Sequence, residues 1–191
     1  MITDHDRSGY FGASDVQYVI GNWKTKSFEK WWMQKLGINN DHFDNRYTLA
    51  GTNWEHRILK SLNLPDLELD RQIIIEDLRL RVNLDGNTSH RIKEAKTYQW
   101  AKGWKKTPQK YINQTHVQVY GAWMSGMEIE GADIVAYGLE EADYDNYLRP
   151  IDPQRLKEHP VIYDHKWMET IYLPKHMILL GCLERGVFPN V

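Results

Sequence analysis

The period of the apolar residues changes at Leu67, and no other feature of this chain constrains its fold as much. Before that point the spacing is helical. Val16, Val19 and Ile20 follow Ser14 and stop at Gly21, which predicts a helix with a serine N-cap and a glycine stop. Phe28, Trp31, Trp32 and Leu36 recur at helical spacing between Ser27 and Gly37, with Glu29 near the positive end. Trp54, Ile58, Leu59 and Leu62 give a third helix that Pro65 closes. From Leu67 onward the pattern alternates, predicting strands over 67–75 and 78–84 joined at Glu76 and Asp77, then a third strand over 91–97. A helix follows from about Pro108 to about Met124, then strands over 132–137 and 161–164. The segment 167–185 reads as helical but interrupted at Pro174. Helices before, between and after the strands predict an α/β fold with a central mixed β-sheet flanked by helices.

At roughly 150 residues per domain, the 191 residues give about one domain, expected to span 1–191. Cys182 is the one cysteine, which excludes an internal disulfide framework and a zinc site built on several thiolates. The longest apolar stretch, 177–183, is broken by Gly181 and falls far short of the roughly 20 residues of a membrane span, so no membrane partner is expected. The opening residues MITDHDRSGYFG carry no cationic flank followed by an apolar run, and a cytoplasmic location is expected. Lys and Arg number 24 against 26 Asp and Glu, a net charge of −2 that argues against non-specific coating of nucleic acid. It does not exclude an enzyme that holds cations in one carboxylate cluster and grips phosphates elsewhere, because the distribution of charge sets the local field.

The segment RVNLDGNTSHRIKEAKT carries the chemistry. Asp85 is expected to end a hairpin strand at an Asp-Gly turn. Glu94 lies on the next strand with Lys96 two positions on, so period two points both to one face. Two carboxylates from adjacent strands suit a hard cation such as Mg²⁺, which takes few protein oxygens and keeps positions for water and substrate phosphate. A lysine beside them suits holding the attacking water or deprotonating it, the latter demanding a lysine pKa lowered by its surroundings. Metal-assisted phosphodiester hydrolysis needs this set. By itself the pattern also fits a solvated strand face with a local ion pair. Glu55 on the third helix, and Gln114 and Gln118 four apart on the later helix with Tyr120 just beyond, are further candidates. Their plainer readings are a surface carboxylate and a polar helix face. The stretch YQWAKGWKKTPQKY sets Lys102, Lys105, Lys106 and Lys110 among Tyr98, Trp100 and Trp104. Cations track phosphates and aromatic faces stack on unpaired bases, so this is either a DNA-contacting loop or a solvated loop with two anchoring tryptophans.

Taken in this order, the residues resemble the phage lambda-type exonuclease and YqaJ-type viral recombinase family of the PD-(D/E)XK nuclease superfamily, over most of the chain. RSGYFGASDVQYVI is similar to the family's opening, an arginine ahead of a Ser-Asp or Ser-Glu helix start, here Arg7, Ser14 and Asp15. AGTNWEHRIL resembles the helix that supplies a first carboxylate, Glu55. NLDG followed by KEAKT is similar to the metal-binding core: Asp85, Glu94 and Lys96, supported by Asn83, with the main-chain carbonyl of Ala95 as a further ligand. QTHVQVYGAW resembles the family's glutamine-and-tyrosine helix, bringing Gln118 and Tyr120 near the site. Leu84 stands where the family's core carries proline. His116 stands where it carries a glutamine, which leaves open whether Gln114 or His116 contacts the terminal phosphate.

The resemblance implies a restriction-endonuclease-like core and a metal-dependent 5′-to-3′ exonuclease acting on double-stranded DNA ends. Mononucleotides would be released, leaving a 3′ overhang for phage-type recombination by strand annealing. It implies Mg²⁺, with Mn²⁺ as a substitute, at two ions per site: Asp85 and Glu94 on one, Glu55 holding a second or orienting a water. Arg7 and Ser14, with Gln118 and Gln114, would bind the 5′-phosphate. Arginine offers a bidentate fork, and a serine at a helix start adds its hydroxyl beside unpaired N–H groups. Ser14 as an ordinary N-cap is compatible with both jobs. A ring of three subunits and a single-strand annealing partner are implied as well. Two alternatives stand beside this reading: an endonuclease of the same superfamily, and a catalytically silent DNA-end-binding protein, against which the intact Asp85, Glu94 and Lys96 speak. His159, His165 and His176 lack zinc-ligand spacing. Trp31, Trp32, Met168, Met177 and Leu179 read as core or subunit contacts.

Overall fold

The computed structural model describes residues 8–39 and 45–190, so Arg7 lies outside the described residues. Among them, six strands form one mixed sheet: β1 (Phe11–Gly12), β2 (Glu68–Ile75), β3 (Leu80–Asn87), β4 (Arg91–Gln99), β5 (Gly131–Leu139) and β6 (Leu156–Ile162). The order is β1-β3-β4-β5-β6, with β2 antiparallel on β3. The helices are α1 (Val16–Ile20), α2 (Lys26–Lys35), α3 (Arg46–Lys60), α4 (Gln109–Met124), α5 (His165–Trp167) and α6 (Leu173–Glu184). A π-helical stretch, Met168–Tyr172, joins the last two without a break, and Pro174 follows it directly in the first turn of α6. None of these helices is long and apolar enough to cross a membrane.

The sheet buries a core on each face. On one side Phe11, Phe28, Trp32, Val117 and Leu179 pack against Leu80, Val82, Leu84 and Ile92. On the other, Ala50, Trp54, Ile58 and Leu59 of α3 pack against Ala95, Val135 and Tyr137. This is the α/β arrangement the sequence predicts, a sheet between helical layers. β5 is buried at every position and reads GADIVAYGL, the apolar run of a strand covered on both faces.

Local boundaries differ from the sequence expectation where side chains compete for the same backbone donors. Ser14 does not cap a helix. It is exposed in a 3-10 turn, Ala13–Asp15, whose entry is fixed by Asp15, accepting from Gly12 N–H at 2.7 Å and pairing with buried Lys35 at 2.6 Å. The hydroxyl of Thr25, not Ser27, caps α2 by accepting from Phe28 N–H at 3.1 Å. Asn45 accepts from Tyr47 and Thr48 N–H and so starts α3 well before its apolar stripe begins, and the helix ends before Pro65.

The main correction concerns β3, which does not end at the Asp-Gly pair. It runs on to Asn87, and the chain turns over 88–90, where the Thr88 hydroxyl accepts from Arg91 N–H at 3.1 Å. Gly86 serves a close approach instead of a turn. A Cβ there would lie 3.1 Å from both Leu59 and Leu67, on the α3 side of the sheet. Leu84 faces the opposite core, so the strand's alternation breaks at Asp85. Across the β2–β3 ladder, between the pairs Leu69↔Gly86 and Arg71↔Leu84, stands Asp70 with a left-handed φ of 59°. A non-glycine residue there costs of order 1–3 kcal/mol and persists only where its surroundings over-determine it.

α4 reaches the sheet because Gly121 lets its backbone approach β3: a Cβ at Gly121 would sit 2.7 Å from Val82 Cγ2, a stiff β-branched neighbour. Gly121→Val is therefore expected to overpack the core by about 1–3 kcal/mol. At roughly 2–4 °C per kcal/mol for a chain of this size, a thermal melt should register the loss. Gly121→Ala should lose less, because alanine regains about 1 kcal/mol of helix preference.

Candidate active site

The site forms where β3 and β4 part. Their antiparallel ladder holds only the pairs Asn87↔Ile92 and Gly86↔Lys93. Beyond them the Asp85 carboxylate takes over from the backbone, accepting from Ala95 N–H at 2.9 Å. In a strand, the N–H and C=O of one residue point the same way, so the Ala95 carbonyl also faces this gap. On its other edge β4 stays fully paired with β5, which holds the open edge in place.

Glu94 sits at the centre, with no exposed surface. Lys96 forms an ion pair with its Oε1. Gln114 Nε2 donates to Oε1 at 2.5 Å and Gln118 Nε2 to Oε2 at 2.6 Å, the two amides standing one turn apart on α4. Gln118 also donates to the Asn83 carbonyl of β3 at 3.1 Å. Both glutamines thus spend their amides on a carboxylate, whereas the sequence analysis set them at a phosphate. Lys96 Nζ lies 5.3 Å over the ring of Tyr111, itself stacked on Trp104.

The electrostatics describe a surplus of negative charge. Burial, with Glu94 alongside, pushes the Asp85 carboxyl well above the ordinary carboxylate range. Burial and Glu94 likewise raise Glu55. Burial alone would lower Lys96, but Glu94 and Asp85 outweigh it and hold the ammonium above the usual lysine value. That reverses the lowered lysine pKa expected for a base, so Lys96 stands in the site as a cation. The donor set of two crowded carboxylates and a main-chain carbonyl fits a hard divalent cation, which would relieve the repulsion.

A cleft of about 610 Å³ opens beside this cluster, lined by Glu55, Ala95, Lys96, Tyr98, Gln99, Lys110 and Tyr111, and on the far wall by Tyr47, Thr48 and Tyr144. Glu55 enters it from α3. Other candidates stand elsewhere. His116 is buried against Tyr163 and Trp167, with no contact to Glu94, and burial lowers its pKa. Tyr120 packs against the first core, and the Asn83 side chain accepts from Gln72 on β2. Trp104 packs among Tyr98, Tyr111 and His159, and Trp100 lies over Gly138 and under Lys157. Lys102, Lys105 and Lys106 are exposed around them. Sequence reasoning missed Tyr111, three positions before Gln114 on the same helix face, and the neighbours of Glu55, His56 and Asp70. The register that sets Asp70 opposite Asp85 comes from a turn over 76–79 in place of the two-residue turn that the sequence suggests, so the sequence carried no signal for Asp70.

The arrangement has solved counterparts. An alkaline exonuclease from Laribacter hongkongensis, LHK-Exo, superposes with a TM-score of 0.70 at 16% identity, over 93% of this chain and 89% of that one. Its complex with dAMP gives 0.62 at 17% identity, over 93% and 92%. A phage-related exonuclease from Haemophilus somnus 129PT gives 0.56 at 14%, over 93% and 92%. The chain has the fold of these exonucleases. At such identities the likeness is one of fold, and no protein-family model or curated protein matches the chain.

The raised carboxyls have a measurable consequence. Asp85 binds its proton more tightly folded than unfolded, so its contribution is complete below the unfolded value near pH 4 and is lost as pH rises through the folded one. Asp85→Asn removes that loss and keeps an acceptor for Ala95 N–H. In EDTA at pH 8 the variant should melt at a higher temperature than the wild type, with the difference vanishing near pH 4. If the donor set holds a cation, Mg²⁺ should raise the Tm of the wild type and leave that of Asp85→Asn unchanged. A variant no more stable than wild type at pH 8 would show that the carboxylate is under no such stress.

Proposed function

We propose that this chain is a divalent-metal-dependent deoxyribonuclease of the lambda-type exonuclease family, digesting one strand of duplex DNA from its 5′ end and leaving a 3′ overhang for recombination by strand annealing. The observation that carries the reading is the meeting of Asp85, Glu94 and Lys96 in the gap between β3 and β4, beside an open cleft, in a fold shared with alkaline and phage-related exonucleases. One of those relatives is described in complex with dAMP, a mononucleotide of the kind such digestion releases.

Asp85, Glu94 and the Ala95 carbonyl would hold the first of two Mg²⁺ ions, and Glu55 would contribute to a second. When bound, such a cation supplies Lewis-acid stabilisation of the charge that develops on the scissile phosphate. Gln114 and Gln118 fix the Glu94 carboxylate in one orientation. Lys96 would hydrogen-bond the attacking water or a non-bridging phosphate oxygen and offset charge in the transition state, or take the water's proton once a cation has drawn charge from Asp85 and Glu94. Ser14 and Arg7 would grip the 5′-phosphate, and the exposed Lys102, Lys105 and Lys106 with Trp100 and Trp104 would track the duplex. The exposed Ile171, Met177 and Ile178 of the C-terminal helical stretch offer apolar surface for the subunit contacts of a ring of three.

The test is digestion of linear duplex DNA labelled at one 5′ end, with and without a 5′-phosphate, in Mg²⁺ and in EDTA, beside a covalently closed circle. Release of mononucleotides from phosphorylated linear ends in Mg²⁺ alone is the expected result. Nicking of the circle would indicate an endonuclease, and binding without cleavage a silent end-binding protein. Lys96→Ala should abolish cleavage while a gel-shift assay still detects the DNA complex. Parallel loss of binding would remove the catalytic assignment.

A further inference from the structure

We propose that Lys110 binds a backbone phosphate next to the scissile one, inside the cleft, and that Tyr111 positions it there; the inference rests on the nuclease reading. In the sequence Lys110 is one more cation of the stretch 98–111, but the structure sets it apart from Lys102, Lys105 and Lys106. Those three stand on the loop, whereas Lys110 and Tyr111 belong to the first turn of α4 and line the cleft together with Glu55 and Lys96. One ring gathers two ammoniums: Lys110 Nζ lies 4.7 Å and Lys96 Nζ 5.3 Å from the Tyr111 ring centroid. The electron-rich face of an aromatic ring attracts a cation and so restrains where it stands. Trp104 stacks on Tyr111 at 5.5 Å and holds the ring in turn.

The two lysines differ in what answers them. Lys96 is paired with Glu94, while Lys110 forms no ion pair with a described residue. Its surroundings are also wrong for a cation. The positive end of α4 lies here: Pro108 precedes the helix, no side chain caps it, and its first turn carries no acidic residue. A cation in that turn opposes the helix dipole, and two ammoniums at one ring repel each other. An anion entering the cleft answers all of this, since it meets Lys110, the uncapped N–H groups and the dipole together. Lys110 stands one turn ahead of Gln114, whose amide holds Glu94, so an anion at Lys110 neighbours the reacting centre. A DNA strand carries a charge at every nucleotide, and with Lys96 at the scissile phosphate Lys110 has the next one within its reach.

A duplex with a 5′-phosphate, fluorescently labelled at its far end, would be titrated with the full-length chain in EDTA, anisotropy being read at several salt concentrations. Wild type, Lys110→Met, Tyr111→Leu and Tyr111→Phe would be compared on the intact duplex, on one lacking the 5′-phosphate, and on duplexes with one uncharged methylphosphonate at the first, second or third linkage. Each phosphate contact adds about 0.9 to the slope of log affinity against log salt, and Lys110→Met should lose one such step. It should also be indifferent to removing the charge of one phosphate beside the first linkage, where the wild type weakens several-fold. Lys110 is exposed, so this variant keeps the fold. Tyr111→Leu should follow Lys110→Met at that position, and Tyr111→Phe, which keeps the ring, should follow the wild type. A Lys110→Met protein with the slope and positional profile of the wild type would overturn the proposal, as would a loss spread evenly over all positions or a wild type that binds no duplex. Tyr111→Leu that binds as the wild type does at every position would remove the positioning role. Failure of the nuclease reading would show separately, as linear duplex left uncut in Mg²⁺ by a wild type that still binds it, since anisotropy in EDTA needs no cleavage.

Discussion

The buried carboxylate of Glu94 is the charge to which the rest of the site answers. An ion taken wholly out of water costs several kcal/mol unless its lone pairs are met. Three donors meet them here: Lys96 from the same strand, and Gln114 and Gln118 from α4. Because Gln118 also holds the Asn83 carbonyl, one anion ties β3, β4 and α4 into a single arrangement. The close approach of α4 at Gly121 is what brings those amides within reach, so the packing of the first core and the geometry of the site are one problem.

A regular sheet would have no room for such a site, since paired strands spend every N–H and C=O on each other. The parting of β3 and β4 frees the edge of β4, and Asp85 prevents the freed N–H of Ala95 from being orphaned, at a hydrogen-bond cost of about 1–3 kcal/mol otherwise. One side chain therefore does two jobs, backbone partner and charged donor. The break in alternation at Asp85, the close packing of Gly86 on α3 and the left-handed Asp70 all lie within the same few residues.

The layers of this fold and its central residues were legible in the sequence because they rest on long apolar periods and on a short motif at fixed spacing. Strand alternation put Glu94 and Lys96 on one face, and the structure joins them in an ion pair. What escaped was decided by competition among polar groups. Thr25 and Ser27 both offer a cap, and only geometry selects Thr25. Asp-Gly reads as a turn until Leu59 and Leu67 are known to press on Gly86. The sequence sets the glutamines of α4 at a phosphate, and it does not show that the buried Glu94 carboxylate accepts from both of them. The sign of the Lys96 shift depends on Glu94 and Asp85 together, which no local reading of one strand supplies.

The balance of charge bears on how such a cleft would meet DNA under the proposed function. Glu94, Glu55 and Asp85 face one ammonium, so the cluster by itself repels a phosphate, and the exposed lysines at 102, 105 and 106 stand on the loop beyond the end of β4. Attraction to the duplex and tolerance of a phosphate at the reacting centre therefore come from different parts of the molecule. A divalent cation between Asp85 and Glu94 would reverse the local sign, and by linkage a bound phosphate would raise the affinity for that cation by the same factor. The net charge of −2 is then no obstacle to a nucleic-acid substrate. Under that function, the negative charge of Asp85, Glu94 and Glu55 would hold the cations, and the lysines at 102, 105 and 106 would meet the backbone.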